Sequence, residues 1–81
     1  MIHKAIYDPA YRKAIERLRR TRKHQKLTQD HVARCLGFSR TWLSRVECCT
    51  LKIDILHLIR LCQAVGLSAS ELMREIEKEL P

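Results

Sequence analysis

Arg40, Thr41, Ser44 and Arg45 stand within six residues of one another, beside Leu43 and Val46. In a helix the two apolar residues, three apart, turn to one side. Two guanidinium groups and two hydroxyls are then left on the outer face. Arginine carries parallel N–H donors that match paired acceptors, among them O6 and N7 of guanine, a contact that contributes about 1–3 kcal/mol of discrimination between bases. Thr41 offers a methyl group to thymine or a hydroxyl to phosphate. Arg40 and Arg45 diverge by about 140° on a 3.6-residue period, so both reach one surface only if the helix lies along it. For each, the competing reading is a solvated helix face or a phosphate contact.

A second set of residues suits phosphate rather than bases. Thr28 and Gln29 sit where a helix begins, and free backbone N–H groups with a partial positive charge make that end a seat for an anion. Ser39 holds the same place one helix later. Lys26 and Lys52 fall in turns. Trp42 either aims its indole N–H at a phosphate oxygen or packs as part of the core. The overall charge agrees: +7 in 81 residues, with pI near 9.7. It is also uneven. Residues 1–52 carry 13 Lys/Arg against 4 Asp/Glu, whereas residues 53–81 carry 3 against 5. Solubility alone would not require that split; a phosphate-facing half and a protein-facing half would.

The elements that must hold these groups are legible from caps and periodicity. Asp8-Pro9 opens a helix running to about His24, with Tyr11, Ile15, Leu18 and Arg22 on one face. Thr28 caps a second helix over about 29–36, and Ser39 a third over about 40–47. Asp54 starts a fourth over 55–65 that Gly66 ends, and Ser68 a fifth over about 69–79 with Glu71 in capping-box position. Val32, Ala33 and Leu36 share one face, and Gly37 supplies the left-handed backbone of a sharp turn. Residues 28–47 are therefore written as a helix-turn-helix. The expected fold is all-α, a compact five-helix bundle in one domain over 1–81, with an N-terminal extension at 1–8 and C-terminal helices at 55–80.

The fourth helix, ILHLIRLCQAV, is apolar on more than one side. Ile55, Leu56, Ile59, Cys62 and Val65 are expected to fill the core. Leu58 and Leu61 would then join Leu72, Met73, Ile76 and Leu80 in a homodimer interface. Ile2, Ile6 and Tyr7 could instead cover part of that surface. Cys35 and Cys62 read as small core residues, and all four cysteines as reduced thiols. Cys48-Cys49 invites a redox role or, with His31 or His57, a metal, but no CxxC or HxxxH spacing is present, so no metal or cofactor is expected. No nucleophile–base pair, paired carboxylates or phosphate-cradling glycine loop points to an enzyme. Nothing resembles a signal peptide or membrane span, which favours a cytoplasmic or nucleoid-associated protein.

The run LTQ-x-x-VA-x-x-LGFS-x-x-x-LS-x-VE, over Leu27 to Glu47, resembles the phage-repressor helix-turn-helix family, the Cro and lambda-repressor-like group known as XRE-type. The likeness covers about residues 14–78. It implies five helices, the third entering the DNA major groove, and dimers on two-fold symmetric operators. Carried over residue by residue, it puts Arg40 and Thr41 at base edges, Ser44 and Arg45 one turn on, and Gln29 at phosphate. It implies a structural ion pair between Arg22 and Glu47. The family commonly has glycine where this chain has Cys49. The function implied is a transcriptional regulator, most simply a repressor. Rivals are an antitoxin that also binds a toxin, a restriction–modification controller, and a protein-interaction module without operator binding.

Overall fold

A computed structural model of the chain describes residues 7–81 and contains five helices: α1 (Pro9–His24), α2 (Gln29–Cys35), α3 (Arg40–Glu47), α4 (Ile55–Val65) and α5 (Ala69–Glu79). The side-chain oxygens of Asp8, Thr28, Ser39, Asp54 and Ser68 each accept a backbone N–H from the first turn of the helix that follows. Every helix therefore starts on a residue whose short polar side chain replaces a missing intrahelical acceptor. The core lies where the helices converge. Ile15 and Leu18 of α1, Val32 and Ala33 of α2, Leu43 and Val46 of α3, Leu61, Cys62 and Val65 of α4, and Leu72 of α5 are all buried. The dipeptide Val32-Ala33 is the closest approach of α2 to the centre; Ala33 is fully buried, and its small side chain admits the neighbouring helices.

Four helices end in one motif. After α2, Gly37 N–H donates to Arg34 O and Phe38 N–H to Ala33 O, both within 3.0 Å. The same pair of bonds follows α1 at Lys26 and Leu27, α3 at Cys49 and Thr50, and α4 at Gly66 and Leu67. This Schellman ending requires one left-handed residue. Gly37 and Gly66 have φ of 80° and 79°, and Lys26 and Cys49 adopt 59° with a side chain in place. A Cβ added at Gly37 would meet nothing within 4 Å. Its glycine is thus required by backbone conformation and not by crowding.

Three expectations are corrected. Ile55 and Leu56 are not core residues; they are 61% and 60% exposed. Leu61 and Leu72 are not available to a partner chain, being 3% and 1% exposed inside the monomer. The errors on α4, at Ile55, Leu56 and Leu61, have one cause. Apolar residues nearly encircle α4, so two stripes satisfy helical spacing, and packing against the rest of the bundle selects Leu58, Leu61, Cys62 and Val65. Cys35 is also exposed; it shares the outer face of α2 with His31, four residues earlier, opposite Val32 and Ala33. Ile2 and Ile6 lie outside the described residues, and Tyr7 is exposed.

α1 and α5 are also joined by ion pairs, Lys13–Glu79 at 2.9 Å and Arg17–Glu75 at 3.3 Å. Near the start of α1 the Tyr11 hydroxyl oxygen accepts the Ile53 N–H at 3.2 Å, tying down the α3–α4 loop. Burial pushes the Tyr11 phenol and the Cys62 thiol above their ordinary values of 10.0 and 9.0. Both groups therefore ionise in the unfolded chain before they ionise in the folded one. Their contribution to stability is complete below about pH 9 and is lost as pH rises through and beyond 9–10. Urea unfolding at increasing pH will show a falling midpoint in this range, with a shallower fall in Tyr11→Phe.

The two side-chain-bearing left-handed positions yield a second prediction. Lys26→Gly and Cys49→Gly remove a Cβ from a conformation that disfavours it, and each will stabilise the domain by about 0.5–1 kcal/mol. For a domain of this size that corresponds to a rise in Tm of several degrees, measurable by circular dichroism. A lower Tm in both variants would refute the assignment.

Candidate nucleic-acid interface

The position of α3 is set by one buried polar cluster. Arg22, the only buried charged residue of the described chain, donates from Nε to Glu47 Oε2 at 2.7 Å and from Nη2 to Glu47 Oε1 at 2.9 Å. Its Nη1 donates to Leu27 O at 2.8 Å, in the α1–α2 turn. Gln29, the first residue of α2, donates from Nε2 to Glu47 Oε1 at 2.9 Å. Glu47 is the last residue of α3. The cluster thus joins three helices and a turn at a single carboxylate. The paired side chains are 9% and 7% exposed, and no buried side-chain N or O atom among the described residues lacks a partner.

The opposite end of α3 is held by aromatic rings. Phe38 stacks on Trp42, with centroids 4.1 Å apart and planes 11° from parallel. His57, in the first turn of α4, meets both rings edge-on at 5.1 and 5.7 Å. Its Nδ1 is 3.3 Å from Asp54 Oδ1. This cluster was not anticipated from the sequence. Phe38 and Trp42 are four apart, a spacing that brings side chains together at a helix start, but nothing local signals that His57 closes against them.

With both ends fixed, α3 exposes Arg40, Thr41 and Arg45, and half-exposes Ser44. Among the described residues neither Arg40 nor Arg45 has an acidic partner, whereas Lys13, Arg17, Arg19, Arg22 and Arg34 each stand beside a carboxylate. The positive charge of this face is therefore not neutralised by any of the described residues. Thr28, Ser39, Lys26 and Lys52 are exposed as well. Thr28 Oγ1 accepts the His31 N–H and Ser39 Oγ accepts the Trp42 N–H, which leaves each hydroxyl hydrogen able to donate. Gln29 differs from the sequence expectation in one respect: its amide serves the ion pair, so only part of its hydrogen-bonding capacity faces outward. Trp42 is half-buried, its ring stacked on Phe38.

Cys48 caps α3 and Cys49 takes the left-handed position where a glycine was expected. The turn keeps its form, with Thr50 N–H donating to Arg45 O at 3.0 Å and Thr50 Oγ1 reinforcing that acceptor at 3.1 Å. No group of three or more His, Cys, Asp or Glu side chains among the described residues could hold a metal ion. No helix among them is long and apolar enough to cross a membrane.

The buried pair generates a prediction for stability. Removing one partner leaves an uncompensated charge in the interior, a loss of about 3–5 kcal/mol. Glu47→Ala will lower the chemical-unfolding free energy by that amount. Arg22→Met combined with Glu47→Leu, which removes both charges, will recover most of it. A single substitution that changes stability by less than 1 kcal/mol would contradict the assignment.

The comparisons with known proteins agree with this geometry. The sequence profile of a family described as a helix-turn-helix domain matches residues 15–78. A solved structure, an XRE-family like protein from Pseudomonas syringae pv. tomato str. DC3000, superposes with a TM-score of 0.84 over 95% of this chain and 94% of that one, at 22% sequence identity. No curated protein matches the chain significantly.

Proposed function

Because the chain belongs to the helix-turn-helix domain family and has the XRE-type fold, that of DNA-binding transcriptional regulators, we propose that it binds double-stranded DNA sequence-specifically and represses transcription by occupying its operator. The observation that carries this reading is the pair of exposed, unneutralised arginines on α3, a helix whose orientation is locked from the other side by Arg22 and Glu47. In this reading α3 enters the major groove. Arg40, Thr41, Ser44 and Arg45 read base edges, while Thr28, Gln29, Ser39, Trp42, Lys26 and Lys52 meet the flanking phosphates. The N-terminus of α2 presents its free donors to one strand.

A homodimer completes the reading. Ile55 and Leu80, 61% and 50% exposed, flank an apolar groove that Leu58, Met73 and Ile76 also line. Leu56 extends the same exposed turn of α4. Large apolar side chains concentrated in this way favour burial against a like surface. Two α3 helices related by a two-fold axis would then address half-sites about 34 Å apart, one turn of DNA.

Selection from a random duplex pool, followed by titration at several salt concentrations, tests the proposal. Arg40→Gln with Arg45→Gln will abolish preference for the selected site and leave weak, salt-sensitive binding. Lys52→Ala will weaken binding to all sequences alike and reduce the salt slope by about one. Retention of the preference by the double arginine variant would sink the base-reading assignment. Failure of any sequence to emerge would favour a protein-interaction module instead. Leu56→Glu, judged by sedimentation, will shift the protein towards monomer.

A further inference from the structure

We propose that Cys48 and Cys49 form a dithiol site for a trivalent arsenical, held as a ring in which one arsenic atom bridges the two sulfurs. Both thiols are free, Cys48 exposed and Cys49 half-buried. They are neighbours on a turn whose backbone is fixed by the Cys49 N–H to Val46 O and Thr50 N–H to Arg45 O bonds. Cys49 occupies a left-handed conformation, φ 59°, that a glycine would adopt without strain. Lys26 holds the same conformation at the end of α1, so the backbone does not itself call for a thiol; the Cys49 side chain packs against the core while the neighbouring Cys48 is exposed.

Competing chemistries fit less well. Adjacent Cα atoms stand about 3.8 Å apart across a trans peptide, less than the usual disulfide separation of about 4.4–6.8 Å. A direct S–S bond of about 2.05 Å would therefore distort the turn, whereas one inserted atom lets the sulfurs stand further apart. Peroxide oxidation requires a thiolate. Burial pushes the Cys49 thiol up, and although the Arg12 guanidinium opposes this, Cys48 and Glu16 add to it. A tetrahedral zinc site lacks its remaining ligands, since among the described residues no third His, Cys, Asp or Glu joins the pair.

A trivalent arsenical needs only two neighbouring thiols. With R–As(OH)₂ two S–As bonds form and two As–O bonds break. Each thiol proton leaves with a hydroxide as water, and arsenic stays trivalent throughout. Once one sulfur is bound, closure by the second is intramolecular, an advantage unavailable elsewhere in the chain. Cys62 is buried, and Cys35 has an imidazole and no second thiol beside it, with His31 Nε2 4.0 Å from its sulfur. The bridge would rest on the turn that caps the carbonyl of Arg45, so occupancy would act on the end of α3.

Phenylarsine oxide is the probe, and the readout is intact mass with thiol counting on the DNA-free protein, so the outcome does not depend on the proposed function. One adduct per chain is expected, with two of the four thiols protected from alkylation and the label mapped to the peptide containing residues 48 and 49. Cys48→Ser and Cys49→Gly will each lose the bridged adduct, and Cys35→Ser will keep it. Cys49→Gly preserves the fold by the backbone argument above, so loss there reflects chemistry. An adduct that survives either substitution, one that disappears in Cys35→Ser, or four freely alkylated thiols at one equivalent of probe would overturn the proposal.

Discussion

One carboxylate, that of Glu47, receives hydrogen bonds from Arg22 on α1 and Gln29 on α2 while belonging to α3. Burying such a charge is unfavourable unless its lone pairs are occupied in good geometry, and here three donors occupy them. The consequence is directional. A purely apolar contact between α1 and α3 would tolerate sliding and rotation, since dispersion and hydrophobic burial vary slowly with angle. A bidentate guanidinium–carboxylate pair does not. The same guanidinium also fixes the carbonyl of Leu27, so the α1–α2 turn is set by the interaction that sets α3. The outward face of α3, with its two unneutralised arginines, is defined by a contact on its inward side.

The helix endings form a second constraint. The chain has two glycines and requires four left-handed residues among its described turns. Gly37 and Gly66 fill two of these positions, and Lys26 and Cys49 fill the other two. Lys26 lies immediately before the residue whose carbonyl Arg22 holds, and Cys49 follows two residues after Glu47. Both side-chain-bearing positions therefore adjoin the buried cluster. The tertiary interaction over-determines the turns and keeps them closed despite the local backbone preference.

Much of this was legible in the sequence because the signals are local. An N-cap oxygen acts within three residues of itself, so all five helix starts could be located, and the glycines at 37 and 66 marked two of the ends. The facing of α4 was not legible. Ile55, Leu56, Leu58, Ile59 and Leu61 surround the helix, and only its neighbours determine which stripe turns inward; hence Leu61 belongs to the core and Ile55 and Leu56 to the surface. Cys35 was misplaced because a small apolar residue at a helix end is compatible with either side. At the interface, the identity of the exposed residues on α3 followed from spacing. The engagement of Gln29 with Glu47 and the closure of His57 on Phe38 and Trp42 did not, since each depends on groups fifteen or more residues away.

The aromatic cluster has an optical consequence. Trp42 is the chain's single indole, stacked on Phe38 and approached edge-on by an imidazole from α4. Its emission is therefore a built-in gauge of whether the third and fourth helices are seated together. No dye or engineered chromophore is needed to follow that joint, whether the perturbation is heat, denaturant or the arrival of a ligand nearby.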